Sequence, residues 1–328
     1  MTAPGADWPK NLDRLVAPGR PADPSLPLTF ALRPRTGGLC ARAALALAGR
    51  VRPGDRVWVI TGLVVPGAIP RGETDGPPGA GVLARALAAG LGARVLLLAE
   101  APVLPVVTAT LAALARAERG GPPWRQACRT AAFPRRARAA ALWIGRRFRH
   151  PPRAVVAVEK LGPNARGVVH TAAGLDVTAA QARTEVLFGA ARRRGSLTVG
   201  VGDRGNEVGF GAAAARLAAA GGMGACACPC RSSIACTVAA DRPVAAATSN
   251  WGAYGTAAAL AILAGNPRLL HSPAAEVAML DSCVRAGAVD GITRRSAPTV
   301  DGISLAAQVA LVRRLQSLVR RTIRVRCG

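Results

Sequence analysis

The chain has 328 residues, half of them hydrophobic, so it is long enough to bury a large core and too apolar to be disordered throughout. Its 43 basic and 18 acidic residues give a formal net charge of +25, which is typical of nucleic-acid-binding proteins. However, nearly all the basic residues are arginine and only 3% of residues are aromatic, so the chain lacks the stacking platforms of a single-strand binder. We interpret the charge as a solvated surface enriched in arginine by a GC-rich genome, and nucleic acid is not an expected partner.

No targeting or membrane segment is apparent in the sequence. The first ten residues lack the basic start and apolar core of a secretory signal, and Asp7 argues against a mitochondrial presequence. Residues 95–115 are mostly apolar, but Glu100, Pro102 and Pro105 interrupt them, which favours a strand, a loop and a helix over a membrane span. We therefore expect a cytoplasmic protein, or a mitochondrial matrix protein in a eukaryote, with no membrane partner.

Strand-like and helix-like runs alternate from residue 55 onward. In the first half, the pattern predicts strands over residues 56–60, 93–99 and 153–159 and helices over residues 79–91 and 106–117. Pro77 and Pro78 stand where a helix accepts proline, in its first turn. Residues 120–153 are rich in proline and arginine and show no clear pattern.

The second half continues the alternation. It predicts strands over residues 197–201, 234–241 and 243–248 and helices over residues 178–194, 207–220, 251–264, 273–286 and 305–319, with Asp176 or Thr178 capping the first helix. Strands that alternate with helices favour a mainly parallel sheet. We predict a Rossmann-like, three-layer α/β fold with helices on both faces, in a single domain over residues 1–328. An extended N-terminal segment (1–30) and a cysteine-rich loop (221–232) complete this domain.

Four of the eight cysteines cluster in a short segment: Cys226, Cys228, Cys230 and Cys236. Zinc ligands usually come in pairs separated by two to four residues, whereas single residues separate the first three cysteines and no histidine is close in sequence. The three histidines, His150, His170 and His271, have no metal-ligand spacing either. We therefore expect reduced thiols rather than a metal cluster, and no histidine ligand.

Polar residues collect in four segments associated with predicted strands. These are Thr61 with Glu73 and Asp75; Glu159 and Lys160 with Asn164 and Arg166; Asp203, Asn206 and Glu207; and Asp241 with Ser249, Asn250 and Trp251. Because loops at the carboxyl ends of parallel strands converge on one edge of a sheet, we expect a ligand site there. Structural roles stay open for several of them: Asp75 or Asn250 as a helix cap, Asp203 or Asp241 as a turn residue, and Trp251 in the core.

Six segments in this order resemble the D-glutamate cyclase family. They are TG (61–62), GETDGPPGA (72–80), GVGDRGNEVGFG (200–211), SNWGAYG (249–255), AGAVDGIT (286–293) and PTVDGI (298–303). More specifically, the chain resembles the catalytic domain that forms the C-terminal part of mitochondrial D-glutamate cyclase and that also occurs as stand-alone microbial proteins. The similarity spans roughly residues 10 to 320. It implies a lyase that converts D-glutamate to 5-oxo-D-proline with loss of water.

The chain departs from the family pattern in three places. KLGPNARG (160–167) replaces a loop like RPGRAADG, Ala173–Gly174 replaces the usual Arg-Gly, and Arg204 replaces the middle glycine of GDGGNE. The first two departures lie where a substrate carboxylate is expected to be held. A related amino acid or dicarboxylate is therefore an alternative ligand, and a relative that binds without turnover is an alternative function. A basic nucleic-acid-binding protein is the third alternative.

The implied reaction needs a base that removes a proton from the substrate amine and an acid that protonates the leaving oxygen. We assign these two roles to Asp203 and Glu207, which would share one end of a helix beginning near Asn206. Glu73 and Asp75 would hold the ammonium group, or would bind a divalent metal ion together with Asp203. The remaining predicted substrate-binding residues are Thr61, Lys160, Gly76, Gly79, Asn206, Asp241 and Asn250. The substrate is the expected partner, and an assembly of identical chains is left open.

Overall fold

The computed structural model describes residues 7–18, 32, 37–118, 123–219 and 224–327. Six strands form one sheet in these residues: β1 (Arg56–Thr61), β2 (Arg94–Ala99), β3 (Cys128–Ala132), β4 (Ala154–Val158), β5 (Leu197–Gly202) and β6 (Arg242–Ala245). All neighbouring strands pair in parallel, in the order β3-β2-β1-β4-β5-β6. The direction of progression reverses between β1 and β4, which is where open parallel sheets bind their ligands.

The helices connect and cover these strands. They are α1 (Trp8–Val16), α2 (Leu39–Arg50), α3 (Pro77–Leu91), α4 (Leu104–Ala117), α5 (Trp124–Ala127), α6 (Ala137–Arg147), α7 (Thr184–Arg193), α8 (Gly211–Ala219), α9 (Ser249–Leu263), α10 (Pro273–Arg285) and α11 (Leu305–Cys327). Two short 3₁₀ helices lie at Thr178–Ala180 and Pro267–Leu269. Within the described ranges, no helix combines the length and the apolar character that crossing a bilayer requires.

Helices cover both faces of the sheet. Successive side chains of a strand point to opposite faces, so each face builds its own core. On one face, Val57 and Val59 pack in a core with α2, α3, α4 and α9. On the other face, Trp58 and Ile60 pack with α6 and α7. The predicted three-layer α/β fold is thereby confirmed.

The proline- and arginine-rich stretch 120–153 contains elements that the sequence pattern did not reveal: α5, β3 and α6. β3 is an edge strand that pairs only with β2, and most of its residues are half-buried or exposed. An edge strand needs no continuous apolar run, so the residue pattern of β3 contains little signal for a strand. Helix α1 lies inside the segment 1–30 that was expected to be extended. The rest of that segment, apart from residues 7 and 17–18, lies outside the described residues.

The helix predicted over residues 178–194 is interrupted. The Gln181 side chain donates to the carbonyl of Val64 (2.6 Å), and the backbone N–H of Ala182 donates to the carboxylate of Glu100 (2.7 Å). These tertiary hydrogen bonds hold residues 181–182 out of a helix, so α7 begins only at Thr184. Hydrogen bonds to distant loops therefore override the helical periodicity of this segment.

Helix α8 begins at Gly211, four residues later than predicted. Before it, the chain crosses directly over β5: a Cβ atom on Gly209, whose φ is +126°, would lie 2.6 Å from the Cα atom of Gly200. Residues 234–241 lie beside this crossing and form isolated bridges to residues 209 and 210, not the predicted strand. The predicted strand over 243–248 is shorter, as β6.

Helices α3 and α9 approach each other closely at Gly79. A Cβ atom there would lie 2.9 Å from the Cα atom of Asn250 and 3.0 Å from the Cβ atom of Ala253. Two turns are held together at this point, because Oδ1 of Asn250 accepts hydrogen bonds from the backbone N–H of Gly76 (3.0 Å) and Gly79 (2.8 Å). The absence of a side chain at Gly79 is therefore a packing requirement.

We expect Gly79→Ala to lower the free energy of unfolding by about 1–3 kcal/mol, since the new methyl group meets backbone that cannot move easily. Gly81→Ala is a matched control in the same helix, where the nearest atom to a new Cβ is 3.8 Å away. Its better helix propensity should raise stability by about 0.5–1 kcal/mol. Denaturant unfolding of both variants measures the difference, and equal effects would contradict this account of the contact.

Candidate functional site

A cavity of about 110 Å³ opens at the carboxyl edge of the sheet, beside the reversal point between β1 and β4. Its apolar wall is formed mainly by Leu63, Val65, Ile69 and Leu161. Its charged lining consists of Glu73, Glu159, Asp301, Arg204 and Arg294. A larger cavity of about 490 Å³ lies between α6 and α7, but it is lined by arginines and apolar residues without a carboxyl group. Acid/base chemistry therefore points to the smaller cavity.

Asp75 and Asn250 clasp two helix N-termini beneath this cavity. The Asp75 carboxylate accepts hydrogen bonds from the backbone N–H of Ser249 and Asn250, both at 2.8 Å, at the start of α9. Asn250 in turn occupies the N–H groups of Gly76 and Gly79 at the start of α3. The turn that was expected to receive a substrate carboxylate is therefore already filled by a protein side chain.

The helix cap at the start of α9 is not the residue that the sequence left open for this role. Thr248, rather than Asn250, is the N-cap residue, and its hydroxyl accepts from the backbone N–H of Trp251 (3.3 Å). The Asn250 side-chain amide donates to the carbonyl of Thr74 (2.9 Å). Asn250 thus uses both ends of its amide group within the protein.

Glu207 closes the turn that follows β5. Its carboxylate accepts hydrogen bonds from the backbone N–H of Asp203 (3.3 Å), Arg204 (3.0 Å) and Gly205 (2.7 Å). Because α8 begins at Gly211, the expectation that Glu207 occupies the first turn of a helix is wrong. Both of its oxygens are engaged by backbone, and its side chain does not line the cavity.

Asp203 is a buried carboxyl group without a hydrogen-bond partner for either oxygen among the described residues. Its nearest cation is Arg204, whose Nε lies 3.4 Å from Oδ2. Burial, reinforced by the charges of Glu159 and Glu207, raises the pKa of Asp203 well above its usual range. Asp203 lies directly behind the carboxyl groups that line the cavity.

The pKa values of other carboxyl groups at this edge are raised as well. Burial and the charge of Glu207 raise the pKa of Glu159, and burial and the charge of Asp301 raise the pKa of Glu73. Burial and Asp301 raise the pKa of Asp75 to about 7. Carboxyl groups packed this closely with little solvent cannot all be ionised without a compensating cation.

Two arginines supply positive charge at the cavity. Nη2 of Arg204 donates to Oδ2 of Asp301 (3.1 Å). Although burial opposes its charge, Asp203 and Asp301 raise the pKa of Arg204. Burial raises the pKa of Asp301, and Arg204 opposes that rise. Asp301 is therefore the lining carboxyl group with the best stabilised negative charge.

The loop that carries Arg294 and Asp301 is folded around Asp290. The Asp290 carboxylate accepts from the backbone N–H of Thr293 (2.7 Å) and Gly302 (2.8 Å) and from the Thr299 hydroxyl (2.6 Å). Burial alone would raise the pKa of Asp290, but these hydrogen bonds lower it overall. The loop brings both side chains into the cavity wall.

Gly291 lies between two of the carboxyl groups. A Cβ atom at this position would lie 2.2 Å from Oε2 of Glu73 and 3.0 Å from Oδ1 of Asp301. Only glycine leaves room for both side chains. Asp301 and Glu159 were not among the predicted catalytic or substrate-binding residues, although a signal was present. Asp301 lies in the VDGI segment that carries the resemblance, and Glu159 directly follows β4.

Two predicted binding residues do not reach the cavity. The fully buried Lys160 forms an ion pair with Glu100, and its ammonium group also donates to the carbonyl of Gly62 (2.6 Å). Asp241 precedes β6 and accepts from the N–H and the hydroxyl of Thr198, both at 2.9 Å. Thr198 lies near the amino end of β5, about 13 Å of strand away from Gly202. Asp241 therefore belongs to the opposite edge of the sheet.

Thr61 and Asn206 lie at the predicted edge. Thr61 ends β1, and its hydroxyl would be 2.6 Å from a Cβ atom on Gly76, so it lies beneath the turn. Asn206 lines the cavity, and its Nδ2 donates to the carbonyl of His170 (3.0 Å). Oδ1 of Asn206 has no hydrogen-bond partner in the described part of the chain, so it is available to a ligand.

The carboxyl groups fit a hard divalent cation. Oxygen atoms of Asp75, Asp203 and Asp301 lie within 4.8 Å of one another, as do those of Glu159, Asp203 and Glu207. The first set differs from the predicted one, because Asp301 takes the place of Glu73. The unpartnered oxygens of Asp203 support the fit, since carboxylate oxygens are the ligands that Mg²⁺ and Ca²⁺ prefer.

Comparison with known families supports one assignment for most of the chain. A family model described as "D-glutamate cyclase-like, C-terminal" matches residues 35–316. The match covers all the carboxyl groups described above, from Glu73 to Asp301. A comparison with curated proteins finds no match to this chain.

The raised pKa values predict that stability falls as pH rises. The pKa of Asp75 is about 7 in the folded protein and 3.8 in the unfolded chain. Its contribution to the free energy of unfolding is therefore complete below pH 3.8 and is lost as the pH rises through 7. Between its unfolded and folded pKa values, each such group lowers the free energy of unfolding by about 1.4 kcal/mol per pH unit. We expect Asp203→Asn, which removes one titrating group from the buried cluster, to flatten this decline and to be more stable than the parent protein at pH 8.

Urea unfolding at several pH values in the presence of a chelator measures this dependence. Glu185→Gln is the control, because its partly exposed carboxylate is paired with Arg183 outside the cluster. An Asp203→Asn profile parallel to that of the parent protein would show that Asp203 ionises normally.

Proposed function

The chain belongs to the D-glutamate cyclase-like family, and from that premise we propose that it is a lyase that closes D-glutamate into 5-oxo-D-proline with loss of water. The observation that carries the proposal is the group of buried carboxyl groups, with raised pKa values, beside two arginines in one cavity. Closely spaced groups of this kind, whose surroundings separate their proton affinities, are suited to acid/base catalysis.

The reaction balances without an oxidant or reductant. The amine nitrogen attacks the γ-carboxyl carbon, so that a C–N bond forms and a C–O bond breaks. Of the three ammonium protons, one stays on the amide nitrogen and two leave with the oxygen as water. Two protons must therefore be taken from nitrogen, one before and one after it attacks, and two must be delivered to the leaving oxygen.

Glu159 is suited to the acid role. It lines the cavity, and the Ser249 hydroxyl donates to its Oε2 (2.6 Å), which fixes its orientation. Burial and the neighbouring carboxyl groups raise its pKa and favour its protonated form, which can give a proton to the leaving oxygen. This assignment replaces Glu207, whose oxygens are engaged by the backbone of the turn.

Asp301 is suited to the base role. It lines the same cavity, and the hydrogen bond from Arg204 stabilises its ionised form. It can therefore take the proton that the substrate ammonium group must lose before the nitrogen attacks. Asp203 lies behind Glu159 and Asp301 and acts through these two groups. It would hold either a shared proton or a cation beside Arg204. A divalent ion held by Asp75, Asp203 and Asp301 would polarise the γ-carboxyl group.

Arg204 and Arg294 are suited to bind the α-carboxylate. A carboxylate is best held by a guanidinium group in a partly dry site, and both side chains line the cavity. Ala172 and Ala173 line the opposing loop, where the related proteins usually carry an arginine. Arg204 stands where they carry glycine. We infer that Arg204 supplies here the cation that the family pattern places at the position of Ala173.

The direct test is to incubate the purified protein with D- or L-glutamate, with and without Mg²⁺ or Mn²⁺, and to separate the products by chiral chromatography. We expect 5-oxo-D-proline from D-glutamate. Binding of D-glutamate without product would favour the non-catalytic relative. The absence of both binding and product would overturn the proposal. Turnover of another amino acid or dicarboxylate only would show that the relocated arginine has changed the substrate.

Removing the proposed acid should stop the reaction without unfolding the protein. We expect Glu159→Gln and Asp203→Asn each to lower kcat by about 10²–10⁴-fold, the usual range for general acid/base catalysis. Glu185→Gln, on the surface of α7, should keep the parent kcat. A parent-like kcat for Glu159→Gln, with circular dichroism confirming the fold, would exclude Glu159 as the acid.

The relocated cation can be tested by moving it back. Arg204→Gly should raise KM for D-glutamate by about 10–100-fold, since one charge-assisted hydrogen bond contributes about 1.5–3 kcal/mol. Combining Arg204→Gly with Ala173→Arg should recover much of that loss by restoring the arrangement of the related proteins. No change in KM for the single variant would mean that Arg204 serves only Asp203 and Asp301.

A further inference from the structure

A second cluster of metal-ligating side chains lies outside the carboxyl site. Nε2 of His170 lies 3.2 Å from the sulfur of Cys228 and 3.7 Å from that of Cys230. The sulfur of Cys226 lies 3.1 Å from that of Cys228 and 3.2 Å from that of Cys230. The four ligand atoms all fall within 4.8 Å of one another. The expectation that these cysteines lack a histidine partner is therefore wrong.

The fold brings these residues together although the sequence separates them. The cysteine loop closes on itself, since the N–H of Cys226 donates to the carbonyl of Ser232 (3.0 Å). The segment turns back at Cys228, whose carbonyl accepts from the N–H of Arg231 (3.0 Å), and this turn brings the three sulfurs together. His170 comes from the loop that follows β4, and it is fully buried against them.

We propose that His170, Cys226, Cys228 and Cys230 bind a structural zinc ion. Three thiolates and one imidazole are a common tetrahedral ligand set for Zn²⁺, and soft sulfur ligands disfavour Mg²⁺ and Ca²⁺. With Zn–S distances of about 2.3 Å, the ligand atoms of a tetrahedron lie about 3.3–3.8 Å apart. The thiols need to separate by only about half an ångström to reach this geometry. Four protein ligands leave no open position, so the site is structural rather than catalytic.

The zinc ion would join two loops next to the carboxyl cavity. The carbonyl of His170 accepts from Asn206, and the residues that follow His170 line the cavity. Nδ2 of Asn164 donates to the carbonyl of Ser233 (2.9 Å), which ties the same two loops a second time. The zinc site would therefore fix the loop in which the chain departs from the related proteins. This inference does not depend on the proposed reaction.

The test is the metal content of the 328-residue chain, purified under reducing conditions and measured by inductively coupled plasma mass spectrometry. We expect about one zinc per chain. Cys228→Ser and Cys230→Ser should each lose most of it. Cys236→Ser is the matched control: Cys236 lies in the same segment, but its sulfur contacts the backbone N–H of Val238, and zinc should stay bound.

Three further readouts keep the proposal falsifiable if a variant folds poorly. Co²⁺ substituted into the parent protein should show the visible absorption of a tetrahedral thiolate complex. A strong chelator should lower the melting temperature of the parent and of Cys236→Ser. Zinc that persists in Cys228→Ser but is lost in Asp203→Asn would place the metal in the carboxyl cluster instead. A disulfide within Cys226–Cys230 in the freshly purified protein, or iron with sulfide in place of zinc, would also overturn the proposal.

Discussion

Two helix N-termini meet where the strand order of the sheet reverses, and the reciprocal hydrogen bonds of Asp75 and Asn250 hold them there. Asp75 stabilises the start of α9, and Asn250 stabilises the start of α3. The clasp gives both helix ends a protein ligand, so this edge cannot serve as the anion-binding helix terminus common in such folds. In the proposed function, arginine side chains therefore bind the substrate carboxylate, while the carboxyl groups collect around the clasp.

The crowding of carboxyl groups determines the chemistry that this edge can support. Because the clasp, the turn closed by Glu207 and the loop around Asp290 converge, acidic side chains from distant parts of the sequence share one poorly solvated volume. Two arginines do not balance them, so protons or a cation must complete the charge. The same crowding that costs folding free energy makes protons available for transfer near neutral pH.

The sequence predicted the sheet and most helices because buried parallel strands and helix periodicity leave strong local patterns. It also predicted that loops carrying Asp75, Asp203 and Asn250 belong together, since parallel strands send their loops to one edge. It could not predict which polar atoms the protein itself would occupy. Glu207 is used by its own turn and Lys160 by Glu100. Nor could residue spacing reveal that His170 meets the cysteines, because their proximity arises only from the tertiary fold.

Backbone strain is concentrated around the sites. Among the described residues, Glu159, Arg231, Arg294 and Asp301 are the non-glycine residues with positive φ, from 42° to 60°. Three of them line the carboxyl cavity and one lies in the cysteine loop. Each such residue costs about 1 kcal/mol or more relative to glycine or a relaxed conformation. Selection for thermal stability alone would therefore favour glycine or asparagine at these positions. Variants selected in that way would lose residues of the cavity lining before residues of the core.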